Sequence, residues 1–228
     1  MGPRVRSALL AAATLAAGAA AEPADAPELL VTLEVSGGPL PTGFVASALP
    51  TRFVLFEDGQ VFVGGISQLA AGHLDKTEVK AFEQRLAALR KLPGLASTIA
   101  FGGAPAPRSR LLAPKSKLDV VTTGDPAAAP SALRPLGTLV RDLSSFHHPS
   151  LRPYEPAALL LSVKEGPAVG GCRPWSLPVP LAEALAGPRT VSANEARDWP
   201  TGATPAAVCD GDRRFVVTLR PLLPSERP

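Results

Sequence analysis

Between Thr51 and Leu89 the sequence specifies a hairpin followed by a capped helix, and this stretch limits what the rest of the chain can build. Thr51–Glu57 and Gln60–Val63 are rich in β-branched and aromatic residues, with Asp58-Gly59 between them. Glycine accepts the positive φ of a tight hairpin turn, so two antiparallel strands are predicted. Gly64-Gly65 ends or kinks the second strand, and Ile66–Ala71 offers a further short one. The helix is punctuated at both ends. Asp75 can cap it with Glu78 three residues on, and Leu74 and Val79 stand where a hydrophobic staple needs them. Val79, Phe82, Leu86 and Leu89 recur at three- and four-residue steps and form one apolar stripe, while Lys80, Glu83, Gln84 and Arg90 fall off it. Arg90 and Lys91 suit the negative C-terminal end, and Pro93-Gly94 stops the helix.

The flanking sequence reads in the same alphabet. Leu29–Val35 alternates as a strand, with Val31, Leu33 and Val35 on one face; Ser36-Gly37-Gly38-Pro39 breaks it, and a loop runs to Pro50. Ser97–Phe101 is a short strand, and Arg110–Ala113 pairs with Leu118–Thr122 around Pro114-Lys115-Ser116. A second helix starts near Ser131. Pro135 sits harmlessly in its first turn, Leu133, Leu136, Leu139, Val140 and Leu143 form its buried face, and His147, His148 and Pro149 close it. Pro153–Pro156 marks a soft boundary. Beyond it come a strand at Ala157–Val163, a turn at Lys164–Pro167, a short helix at Pro180–Ala186, a second capping box at Ser192 and Glu195, and a last strand at Arg214–Leu219. The order β-β-β-α-β-β-β-α-β-α-α-β, much of it hairpin-linked, predicts an α+β fold: a mainly antiparallel sheet with helices packed on one face. Residues 29–150 form one α+β module, and the disulfide-containing segment 151–228 either completes that domain or folds beside it. Proline (26) and glycine (20) make about a fifth of the 228 residues, and hydrophobic residues at 46% outweigh charged ones at 19%. Such a chain buries a core; it is not collagen-like, coiled-coil or disordered.

The N-terminus is a separate signal. Arg4 and Arg6 precede an uncharged run from Ser7 to Ala21, and Ala19-Ala20-Ala21 supplies the small residues of a cleavage site before Glu22. This predicts a signal peptide at 1–21, a polar lead-in at 22–28, and a secreted or periplasmic product. The run is too short and too rich in alanine and glycine for a membrane anchor, and no later segment is long and apolar enough to span a bilayer. Removing Arg4 and Arg6 leaves 21 basic residues against 20 acidic, so the mature chain is nearly neutral. No lysine/arginine run is suited to neutralising several phosphates, and 5% aromatic residues are too few for base stacking, so nucleic-acid binding is disfavoured.

Two cysteines, Cys172 and Cys209, suggest one disulfide in an oxidising compartment. They enclose a proline- and glycine-rich loop that also holds both tryptophans. Tryptophan packed over a disulfide is the common arrangement, but tryptophan and arginine are also favoured at contact hot spots. Arg173, Trp175 and Trp199 therefore form the candidate contact surface.

Residues Val31 to about Ala96 resemble a bacterial family of exported domains of unknown function. The shared pattern is a first strand and a loop, then an aromatic-containing strand (Thr51-Arg52-Phe53-Val54-Leu55), Asp58-Gly59, a second strand ending in glycine (Val61-Phe62-Val63-Gly64), Gly72, and the capped helix Asp75–Leu89. Members often carry cysteines before the hairpin, where this chain has Gly37, Gly38 and Pro39. The resemblance covers less than a third of the chain. Val35–Gly38 is also similar to the opening strand of small proteinaceous metallopeptidase inhibitors. Neither resemblance implies catalytic residues or a cofactor.

Catalytic motifs are sparse. His147-His148 is the most suggestive pair, but adjacent helical histidines point about 100° apart and rarely share a metal. There is no His-Glu-x-x-His, no Gly-x-Ser-x-Gly, no phosphate loop and no dinucleotide fingerprint. Asp210-Gly211-Asp212 lacks the remaining ligands of a calcium loop and reads as a turn. The function expected is an exported, non-enzymatic module that binds a macromolecule such as an envelope or extracellular protein, with no cofactor and no metal. The alternatives are a hydrolase using His147 or His148 with a carboxylate such as Asp142, and a structural envelope component.

Overall fold

The hairpin and helix form where the sequence places them. The computed structural model describes residues 27–36, 53–64, 69–103, 108–167, 170–201, 205–224 and 226. The expected signal peptide, most of the polar lead-in, the loop to Pro50, Gly65 and Ile66–Gln68 lie outside the described residues.

Strand β1 (Leu29–Ser36) pairs antiparallel with β2 (Phe53–Phe56), which pairs through the Glu57–Gly59 turn with β3 (Gln60–Gly64). Gly59 has φ 94°, and its N–H donates to the Phe56 carbonyl at 3.1 Å. Asp58 Oδ1 accepts from the Gln60 N–H at 2.9 Å, so both residues of the Asp-Gly pair shape the turn. A register shift between Leu29 and Val31 lets Leu30 join Val31, Leu33 and Val35 on the core face. The next strand, β4 (Leu69–His73), extends past the expected Ala71 to His73.

Helix α1 (Lys76–Leu89) has the complete capping box: Asp75 Oδ1 accepts from Thr77 and Glu78 N–H, and Glu78 Oε2 accepts from Asp75 N–H at 2.8 Å. Val79, Leu86 and Leu89 are buried, and Phe82 packs beside them. Strands β5 (Thr98–Ala100), β6 (Arg108–Ala113) and β7 (Leu118–Thr123) follow, then 3-10 turns at Pro126–Ala128 and Ser131–Leu133, and helix α2 (Arg134–Ser144). All five residues expected on the second helix's buried face are buried. The helix stops at Ser144, where Ser144 and Ser145 hydroxyls donate back to Val140 and Arg141 carbonyls. His147 and His148 therefore lie beyond the helix in the connecting segment and do not cap it. With the two-residue β8 (Arg152–Pro153), the first sheet runs β5-β7-β6-β1-β2-β3-β4-β8, antiparallel except at β5–β7. Both helices share one core with its inner face.

The second sheet contains β9 (Ala158–Glu165), β10 (Cys172–Arg173), then, after helix α3 (Leu181–Ala186), β11 (Arg189–Ser192), β12 (Ala206–Asp210) and β13 (Arg213–Pro221). Its order is β10-β12-β13-β9-β11, antiparallel except at β10–β12. Leu161, Val208, Phe215, Val217 and Leu219 form its core with Ala184 of α3, Leu177 and Trp199. The α+β class expected from the sequence is present, and its strands divide between two mainly antiparallel sheets. Strands β8, β10, β11 and β12 are absent from the sequence reading. Two are only two residues long, and β12 opens on Ala206-Ala207, which have little intrinsic strand preference; tertiary pairing makes them strands.

The sheets are joined by more than the connecting segment. Leu223, just past β13, packs against Val54, Phe56, Phe62 and Leu69 on the outer face of the first sheet. Tyr154 stacks edge-on to Phe62 at 5.1 Å and donates its hydroxyl to the Leu222 carbonyl at 3.0 Å. Among the described residues no helix is long and apolar enough to cross a membrane.

Candidate functional site

The disulfide forms. Cys172 and Cys209 lie on β10 and β12, adjacent parallel strands, with Cα atoms 5.5 Å apart. The bridge pins the short β10 to the sheet and fixes the start of the Cys172–Trp175 segment. Arg173, Trp175 and Trp199 come together there. The Arg173 guanidinium lies 4.2 Å from the centroid of the Trp199 ring, and the two indoles meet edge-to-face at 5.7 Å. Both indole N–H groups are satisfied, Trp175 by the Val179 carbonyl and Trp199 by Ser176 Oγ, and Arg173 donates to the Asp198 carbonyl. Trp199 is 5% exposed, so one tryptophan of the candidate surface is a core residue.

Trp199 also lines a cleft of about 830 Å³ between the two sheets. Val63, Gly64, Leu69 and Ala70 and the connecting segment form one wall; Leu159, Ala193, Ala196, Arg197, Trp199 and Thr201 form the other. The volume is in the range of ligand sites, roughly 300–1,000 Å³. Arg152 and Tyr154, neither singled out from the sequence, are fixed at its margin. Arg152 donates through one guanidinium nitrogen to the Pro149 and Leu151 carbonyls at 2.7 and 2.8 Å. Burial, helped by the charge of Glu226, holds the Tyr154 hydroxyl above the ordinary tyrosine range. The cleft draws on segments far apart in the chain, so no local motif could have marked it.

The histidines diverge. His147 lines the cleft, whereas His148 turns toward α1. His148 Nε2 meets Glu78 Oε1 at 3.1 Å. Its Nδ1 is 2.7 Å from Ser150 Oγ and accepts from the Ser150 N–H at 3.2 Å. A backbone N–H can only donate, so Nδ1 is the acceptor and the proton of the neutral ring is on Nε2. Asp142, the carboxylate expected beside a histidine, instead pairs with Arg85 of α1 at 2.8 Å. Glu78 takes that place because its second oxygen is free of the capping box, a dual use the spacing did not reveal.

Glu78, His148 and Ser150 are hydrogen-bonded in the order that a proton relay requires. Its surroundings make it a clamp. Ser150 Oγ accepts from the His73 N–H at 3.0 Å and lies so close to Gly72 that a Cβ there would be 2.5 Å away. The hydroxyl is thus boxed between β4 and the imidazole, and the network ties β4, the start of α1 and the connecting segment together. Among the described residues, no three His, Cys, Asp or Glu side chains are grouped to hold a metal ion. Comparison with protein-family models, curated proteins and solved structures finds no match for this chain.

Proposed function

We propose that the chain is an exported module that binds a protein partner in the cleft between its two sheets. The observation that carries this reading is the cleft itself: ligand-sized, walled by both sheets, and bordered by aromatic and basic groups. The disulfide supports the export part, because such bridges persist in oxidising compartments. Export is tested by the mass of the purified mature chain, which should begin at Glu22; a retained leader overturns it. Binding is tested with a photo-crosslinking phenylalanine analogue at the cleft residue Thr201 and, as control, at exposed Lys117 in the turn between β6 and β7. Irradiation of intact cells should give a discrete adduct from position 201 alone. Identical patterns from both positions would remove the cleft from the function.

A second reading, hydrolysis through His148, draws on the bonded order of Glu78, His148 and Ser150. It requires that Ser150→Ala abolish a hydrolytic activity of the folded protein. The clamp reading requires that the same change lower stability and leave every activity unaltered.

A further inference from the structure

We infer that the cleft takes an acidic peptide, a segment in which aspartate or glutamate stands beside apolar side chains. This rests on the binding function proposed above and goes on to name the partner's chemistry. Among the described residues, those lining the cleft include Arg152, Arg197 and His147 and no carboxylate. Glu155, Glu195 and Asp198 neighbour lining residues in the chain, yet none of them lines the cleft. Arg85, Arg110, Arg213 and Arg220 each have a carboxylate partner, whereas Arg90, Arg173 and Arg189, like Arg152, donate to carbonyls only. The side chains of Arg197 and His147 make no hydrogen bond or ion pair with a described residue. Arg152 is bonded to two carbonyls, which orient its guanidinium without neutralising it. Such a held, uncompensated guanidinium is pre-organised for a carboxylate, because less side-chain entropy is lost on binding. Leu69, Leu159 and Trp199 supply apolar surface beside these charges. A neutral or basic segment would use the apolar wall and leave the two arginines without a partner.

The test is selection from a random twelve-residue peptide library displayed on phage, against the full mature chain. Selected peptides should be enriched in Asp and Glu beside aliphatic or aromatic residues. Their affinity should fall about tenfold or more in the Arg152→Gln/Arg197→Gln double variant, and fall again as salt is raised. Both arginines are exposed, so circular dichroism should show the variant folded. A Thr201→Trp variant, which fills the cleft from its exposed margin, should block the same peptides. Neutral or basic peptides blocked by Thr201→Trp would overturn the acidic preference and leave the cleft reading standing. Peptides indifferent to Thr201→Trp, or no selection at all, would overturn both.

Discussion

Glu78 serves two structures at once, and the double role has a measurable size. Its Oε2 completes the cap of α1 at 2.8 Å from the Asp75 nitrogen, and its Oε1 receives the His148 Nε2–H at 3.1 Å. Glu78→Ala removes both bonds. Loss of a cap bond costs about 1 kcal/mol. The His148 bond falls at the low end of the usual range, about 0.5 kcal/mol, because the Glu78 side chain is 39% exposed. The total is about 1.5 kcal/mol, or a Tm lower by roughly 3–6 °C for a chain of this size. His148→Ala leaves the cap intact but strips two donors of Ser150 of their acceptor, for about 1 kcal/mol. In a double-mutant cycle the two changes should couple by about 0.5 kcal/mol. Urea unfolding should be followed by far-UV circular dichroism: both tryptophans belong to the second sheet's core, so fluorescence would watch the wrong half of the molecule. Strict additivity of the two substitutions would refute the clamp, since independent sites do not share a bond.

Three further outcomes are expected. Replacing Cys172 and Cys209 with serine frees a loop set by their separation of 37 residues, and loop entropy gives a loss of up to about 4 kcal/mol, read as a lower urea midpoint in tryptophan fluorescence. The chain has one tyrosine, so absorbance at the phenolate band titrates Tyr154 alone; its midpoint should lie above that of the urea-unfolded chain. A raised folded pKa means that stability is intact below the unfolded tyrosine value, about 10, and declines as pH rises through the folded one. At the acid end, Arg110 holds Asp119 and Arg213 holds Glu165 below the ordinary carboxylate range, chiefly through side-chain hydrogen bonds. Their contribution is complete above about pH 4 and lost as pH falls through the lowered values, so Asp119→Asn with Glu165→Gln should flatten the acid limb of the stability curve.

What was legible in the sequence was whatever local physics decides. The Asp58-Gly59 turn, the Asp75–Glu78 box, the stripe through Leu86 and the buried face of α2 each depend on residues a few positions apart, and each is present. The cysteine pair was readable by elimination. The edge strands β8 and β10 were not, because two-residue strands exist only through their partners. Arg173, Trp175 and Trp199 meet in the fold, but burial of Trp199 follows from the packing of the second sheet and no periodicity announces it. Arg152, Arg197 and Tyr154 acquire meaning only when the two sheets face each other across the cleft. His148 was noticed for its neighbour His147, and its true partners stand on α1 and beyond Pro149.

Leu223 carries a lesson about the order of events. The greasy patch made by Val54, Phe56 and Phe62 is complete early in the chain, yet its lid is among the last described residues. A polypeptide emerging N-terminus first must hold that patch open to water, or to a holding factor, until residue 223 arrives. The core on the opposite face of that sheet is already supplied by Leu143, so a half-made chain can close its first core and still show this one greasy surface, the place where it would stick to its neighbours.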